Sequence, residues 1–176
     1  MKILMLIDSL GIGGAETHVE TLALELIRCG CEVLIATSGG EIAERLQKQG
    51  VEILPLPDFL GRGGEGSAPL VLNGMLLARF WGARRKIRRY IESETPDVVH
   101  SHTRRMAFLA KNVCRRRKIP LVTTAHAMFS MKFPRRFLSC WGDRTIAVSD
   151  DIKRHLVSHG VPENQIEIVE NGVKFP

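Results

Sequence analysis

Three histidines and one glycine-rich turn carry most of the chemistry that this chain's residue types can support. The turn follows the first apolar run directly: Lys2-Ile-Leu-Met-Leu-Ile-Asp8 leads into Ser9-Leu-Gly-Ile-Gly-Gly-Ala-Glu-Thr-His18. A strand, a tight loop and a helix start in so short a span leave bare backbone N–H groups at a helix N-terminus. Such groups bind anions, phosphate above all. His100 and His102 end a later apolar run, and His126 ends the next. Residues two apart in a strand point the same way, so His100 and His102 share a side. His126 could donate a hydrogen bond to a sugar hydroxyl or a phosphate, or act as a base with a tuned pKa.

The same residues separate one chemistry from another. A nicotinamide-dinucleotide site needs Gly-x-Gly-x-x-Gly and an acid ending the second strand, where it meets the ribose hydroxyls. Here Glu16 stands where the third glycine would sit, and the second apolar run ends Ala36-Thr37-Ser38-Gly39-Gly40 with no acid. A diphosphate on another carrier is therefore favoured over NAD, and a purely structural turn is the plain alternative. His-x-His can ligate a metal, but no Cys or carboxylate stands beside it to complete a set, so no metal and no cofactor are expected. Neither a Gly-x-Ser-x-Gly nor a P-loop is present. Asp8, Asp97, Asp143, Asp150 and Asp151 offer no obvious catalytic pair and read as caps and turn residues. Cys29, Cys31, Cys114 and Cys140 have neither zinc-knuckle nor redox spacing and read as incidental thiols.

These residues need elements to position them, and strand and helix patterns alternate from end to end. Strands are expected over 2–7, 31–37, 51–56, 97–101, 120–125, 144–148 and 166–170, as short β-branched or apolar runs bounded by Gly, Pro or charge. From Ala15 to Cys29, apolar residues at 15, 19, 22, 23, 26 and 27 have helical spacing, and Gly30 is a stop signal. Helices are also expected over 41–49, 104–117 and 150–159, the last capped by Ser149 or Asp150. A flexible loop is expected over 58–69. A long helix should follow it, with Leu72, Leu76, Phe80, Ala83, Ile87 and Ile91 as its core stripe. Alternation of this kind implies an α/β fold: a Rossmann-like, doubly wound, mostly parallel sheet of about seven strands with helices on both faces. Ligands bind such sheets at the carboxyl ends of the strands, which selects Ser9–Gly14, Ser38–Gly40, His100–Thr103, Thr124–Ala127 and Ser149.

The chain has 176 residues, 44% of them apolar, enough for one domain with a real core. Residues 1–170 read as that domain and 171–176 as the start of a linker. No apolar run reaches the ~18–20 residues that cross a bilayer, and the short run Ile3–Ile7 is no signal peptide, so a cytoplasmic protein is expected. The net charge is +6, but it is not spread evenly: residues 79–144 hold 17 Lys and Arg against 4 Asp and Glu. Arg84-Arg85-Lys86-Ile-Arg88-Arg89 opens this stretch, and Arg115–Lys118 and Arg135-Arg136 extend it. A solvated helix face is one reading. An anionic membrane surface is the other, with Phe80, Trp81, Phe129, Phe133 and Trp141 as interfacial anchors. No nucleic-acid motif accompanies the charge, and no nucleic-acid partner is expected.

Five motifs occur in order: Gly13-Gly-Ala-Glu16, Pro96-Asp-Val-Val-His-Ser-His102, Thr123-Thr-Ala-His126, Ile146-Ala-Val-Ser149 and Glu170-Asn-Gly-Val173. Together they resemble the N-terminal domain of GT-B-fold glycosyltransferases of family 4, over essentially the whole chain. The resemblance implies two Rossmann-like domains facing a cleft, an N-terminal one for the acceptor and a C-terminal one for the nucleotide-sugar, with retention of anomeric configuration and no metal. It implies that Gly13 and Gly14 approach the donor diphosphate and that His126 is the catalytic-site histidine contacting the transferred sugar. His102, Thr103 and Arg104 fall at acceptor positions, and Asn171-Gly172 at the crossover between domains. The C-terminal donor-binding domain is not in this sequence, so the chain alone is expected to be inactive. Gly30-Cys31 stands where the family often has Gly-His. With the basic stretch Arg84, Arg85, Lys86, Arg88 and Arg89, the acceptor is expected to be lipid-linked or polysaccharide-type, and the protein peripheral at the inner face of the membrane. The alternative of another class is a standalone, non-catalytic module that binds a phosphosugar or an anionic lipid. A fragment of a nicotinamide oxidoreductase is a third.

Overall fold

The computed structural model of the chain describes residues 1–58, 74–129 and 140–172. In chain order the elements are β1 (Lys2–Leu6), α1 (Gly14–Arg28), β2 (Glu32–Thr37), α2 (Glu41–Lys48), β3 (Glu52–Pro55), α3 (Gly74–Glu94), β4 (Val98–Ser101), α4 (Arg104–Arg117), β5 (Leu121–Ala125), β6 (Arg144–Ala147), α5 (Asp150–Ser158) and β7 (Ile166–Ile168). The seven strands form one sheet in the order β3-β2-β1-β4-β5-β6-β7, and every neighbouring pair is parallel. The expected doubly wound α/β architecture is what forms, with strand limits within two residues of those read from the sequence.

Burial explains the strand sequences. Ile3 to Ile7 are all buried because β1 lies mid-sheet with helices on both sides, so the run is apolar throughout rather than alternating. Leu4 and Leu6 join Val99 and Leu121 against Ala83, Ile87 and Ile91 of α3 and Met106, Leu109 and Val113 of α4. On the opposite face Ile3, Met5 and Ile7 join Val33 and Ile35 against Val19 and Ala23 of α1 and Ile42 and Leu46 of α2. A third cluster packs Ala125 and Ala147 against Ile152 and Leu156 of α5. Each fully buried Leu or Ile contributes about 1.5–3 kcal/mol of transfer free energy.

Some helix details differ from expectation. Of the α1 stripe, Val19 and Ala23 are buried but Ile27 is exposed. Ser149, not Asp150, caps α5: its hydroxyl accepts from Ile152 N–H. The α3 stripe is buried at Ala83, Ile87 and Ile91. Leu72, Phe133, Arg135, Arg136, Val173 and the 58–69 loop beyond Asp58 lie outside the described residues.

The strand order reverses at β1, from which the chain proceeds to β2 and β3 on one side and later to β4 and β5 on the other. The register sets Met5 opposite both Ile35 and His100. Met5 faces α1, so His100 and, two residues on, His102 face that helix too. His100 pairs with Val122, which places Thr124 and then His126 on the same side.

Candidate functional site at the strand tips

The glycine turn is held by its neighbour. Ser38 N–H and its hydroxyl donate to the Asp8 carbonyl at 3.0 and 2.8 Å. Leu10 N–H donates to Gly39 carbonyl at 2.8 Å, and Ile42 N–H to Leu10 carbonyl at 3.0 Å. Gly40 has φ +131°, and a Cβ there would lie 2.3 Å from the Leu10 carbonyl oxygen and 2.7 Å from Gly11 N. Backbone thus rests on backbone, which only glycine permits. Gly13 takes the N-cap place of α1 with extended φ of 178°. Thr17 N–H and hydroxyl both donate to its carbonyl. Glu16 folds over the turn: a Cβ on Gly13 would sit 2.3 Å from Glu16 Oε2. Gly14 is exposed, and a Cβ there would meet nothing within 4 Å. Its glycine identity is not demanded by packing.

Beside the turn stand four imidazoles. His102 Nδ1 lies 3.2 Å from His126 Nε2, with the rings stacked at 5.5 Å between centroids. His100 Nε2 is 2.7 Å from Thr124 Oγ1, and its ring is 4.3 Å from that of His102. His18, from the second turn of α1, sets its ring 4.9 Å from His126 and 5.8 Å from His102. One ring nitrogen from each of His18, His102 and His126 lies within 4.8 Å of the others. Among the described residues, His102 Nε2 and His126 Nδ1 are buried without a hydrogen-bond partner.

Burial sets the protonation state. It pushes His100 and His126 down to about 4, with neighbouring imidazoles adding to the effect. His102 is driven well below the usual value and His18 is lowered, both chiefly by burial. The cluster is therefore neutral at pH 7. A neutral imidazole is one N–H donor and one acceptor, which suits hydrogen bonding to a sugar better than general acid catalysis.

Asp8, two residues past β1, is buried, and its Oδ2 accepts from Arg105 of α4 at 2.9 Å. Burial nonetheless raises its pKa, against the opposing effects of Arg105 and Thr103. Thr103 caps α4, its hydroxyl accepting from Met106 N–H. Arg104 sits over the Phe129 ring at 4.6 Å. The fold therefore brings together Gly13, Gly14, His102, Thr103 and His126 at the tips of β1, β4 and β5. Asn171 and Gly172 are exposed after β7. The residues Arg84, Arg85, Lys86, Arg88 and Arg89 lie apart, on α3. Lys86 donates to Pro55 carbonyl at 2.8 Å, Arg88 faces Glu92 at 3.8 Å, and Arg84 lies 5.1 Å from the Trp81 ring centroid.

Sequence reasoning missed His18, the pairing of His100 with Thr124, and the Asp8–Arg105 pair. His18 lies two residues beyond Glu16 in a helix that starts at the turn, which was the available signal. The Asp8–Arg105 pair spans 97 residues and has no local signature. No helix among the described residues is long and apolar enough to cross a membrane.

Comparison with solved structures shows the same architecture. The Anabaena protein HepE, crystallised with UDP-glucose, superposes with a TM-score of 0.74 at 17% identity, over 98% of this chain and 44% of that one. A glycosyltransferase from Rickettsia africae gives 0.68 at 20% identity, over 98% and 43%. The lipopolysaccharide outer core galactosyltransferase WaaB gives 0.66 at 15%, over 98% and 46%. The chain spans less than half the length of each and matches half of a GT-B fold. No curated protein matches it in sequence. Residues 12–175, from the glycine turn past the last strand, match the model of Glycosyltransferase Family 4, and the chain belongs to that family.

Proposed function

We propose that this chain is the acceptor-side domain of a retaining glycosyltransferase. It would transfer a hexose from a nucleotide-sugar to a lipid-linked or polysaccharide-type acceptor. The observation that carries this reading is the meeting of the glycine turn with His126 and His102 where the strand order reverses, the place where open α/β sheets bind ligands. Likeness to HepE, crystallised with UDP-glucose, and to WaaB, a lipopolysaccharide galactosyltransferase, supports the donor and acceptor classes.

In this reading Gly13 and Gly14 turn backbone N–H groups toward the donor diphosphate, where negative charge grows as the leaving group departs. Glu16 must swing aside to admit it. Neutral His126 hydrogen-bonds the transferred sugar and holds it in reacting geometry. Arg104, with His102 and Thr103 behind it, meets the acceptor, and Asn171-Gly172 leads to the donor-binding domain. The transfer step needs neither a protein nucleophile nor a resident metal, and the domain by itself does not turn over.

On α3, Leu77, Trp81, Arg84, Arg85 and Arg88 recur at helical spacing, and Leu77 and Trp81 are 57% and 54% exposed. An apolar foot continued by arginines on one face suits an anionic membrane surface, which would bring the enzyme to a lipid-linked acceptor at the inner face of the membrane.

The test is transfer of labelled sugar from a panel of nucleotide-sugars by the full-length protein and by His126→Ala. We expect turnover by the parent and a loss of at least about 100-fold in the variant, with unchanged circular dichroism. Unchanged turnover in the variant removes His126 from the site. Absence of transfer, alongside binding of a phosphosugar or anionic lipid, replaces the transferase reading with a non-catalytic module.

A further inference from the structure

The histidine cluster has a property that sugar transfer does not require. His18, His102 and His126 come from α1 and from the tips of β4 and β5, yet one nitrogen of each falls within 4.8 Å of the others. The tightest pair, His102 Nδ1 and His126 Nε2, is 3.2 Å apart. Two nitrogens bound to one tetrahedral zinc at ~2.0–2.1 Å sit about 3.3 Å apart, so this pair already has chelating separation. His18 is half-buried on a helix and has the side-chain freedom to complete the set.

His102 is 3% exposed, and the contact of its Nδ1 with His126 Nε2 is the one that a shared metal would replace; the other nitrogen of each of these two rings faces away from that pair. The dry surroundings also keep the rings neutral, leaving each with a lone pair to give at neutral pH. Three imidazoles without a carboxylate are a poor set for Mg²⁺ or Ca²⁺, which take oxygen. They are a good set for Zn²⁺, Co²⁺, Ni²⁺ or Cu²⁺.

We infer that His18, His102 and His126 form a three-nitrogen binding site for a divalent transition metal of the Zn²⁺ class, open at a fourth position. Binding itself is independent of the transferase reading. One consequence rests on that reading: a metal held by His126 takes the nitrogen that would face the sugar, so Zn²⁺ inhibits transfer.

The experiment titrates the chelator-treated chain with Co²⁺, read by visible absorption, and with Zn²⁺, read by competition with a chromophoric chelator. Mg²⁺ is the negative probe. One equivalent of Co²⁺ or Zn²⁺ should bind, and Mg²⁺ should not compete. His18→Ala and His126→Ala should each weaken binding at least about tenfold. His18 is half-buried on the helix surface, so its variant keeps the fold. His159→Ala, which alters the separate His155–His159 pair on α5 with rings 4.2 Å apart, should bind as the parent does. The proposal is overturned by substoichiometric binding, by binding that survives both His18→Ala and His126→Ala, or by loss confined to His159→Ala. If metal binds as expected but the full-length protein transfers no sugar, the site stands and only its inhibitory consequence falls.

Discussion

At the scale of single residues, the site is defined by groups that burial keeps uncharged. An unfolded imidazole titrates near 6.5, whereas His100 and His126 titrate at about 4 in the fold. Between those values the unfolded chain binds protons that the native chain refuses. Stability is therefore full above about 6.5 and is lost as pH falls toward 4. Asp8 works in the opposite direction: burial raises its pKa, so it gains a proton before its unfolded counterpart and adds stability as pH falls through its folded value. Four depressed histidines outweigh one raised carboxylate. The urea midpoint should accordingly be lower at pH 5 than at pH 7, and His126→Ala should narrow the gap. An equal or higher midpoint at pH 5 would contradict the burial argument. Gly14 supports a cleaner test of ligand contact than of folding, because a side chain there meets nothing within 4 Å. On the proposed transferase function, Gly14→Val in the full-length protein should leave the melting temperature within a few degrees while raising donor KM at least about tenfold or abolishing transfer, because the valine would stand where that reading brings the diphosphate to the backbone. Unaltered KM would remove the diphosphate assignment.

At the scale of elements, the turn after β1 depends on the turn after β2. Gly40 lies against Leu10 and Gly11 backbone at φ +131°, a conformation reserved for glycine, and neither neighbour can yield as a side chain would. Gly40→Ala should cost roughly 2–4 kcal/mol, combining backbone strain with overpacking, measured as a fall in urea midpoint. A cost below about 0.5 kcal/mol would show that the two loops part easily. Helix α3 makes a different prediction, because its exposed face joins Leu77 and Trp81 to Arg84, Arg85 and Arg88. Each basic residue near anionic headgroups contributes ~1 kcal/mol. Co-sedimentation with phosphatidylserine vesicles should exceed that with neutral vesicles, weaken with salt, and drop on Arg85→Glu with Arg88→Glu. Equal binding to neutral vesicles would leave α3 as an ordinary solvated helix.

At the scale of the whole molecule, the chain is one seven-stranded parallel sheet spanning less than half the length of the GT-B structures it matches. The site gathers at one end of that sheet, where the loops after β1, β4 and β5 converge. Much of this was legible in the sequence. Each strand is a short apolar run closed by glycine, proline or charge, and alternation of such runs with helical spacing admits few architectures. The tips of parallel strands are the ligand-bearing ends whatever the ligand, so Gly13, Gly14, His102 and His126 could be selected without coordinates. Side-chain alternation likewise put His100 and His102 on one side. Local pattern stops at the edge of each element. Only the tertiary structure decided that His18 of α1 swings against His126, that Arg105 crosses to Asp8, and that Gly40 underlies the glycine turn. Each of those contacts joins elements far apart in the chain, and their distances follow from strand order and packing rather than from neighbouring residues. Burial, which makes the four imidazoles neutral and leaves two of their nitrogens without partners, is likewise a property of the assembled molecule, since it depends on what every other element places around them.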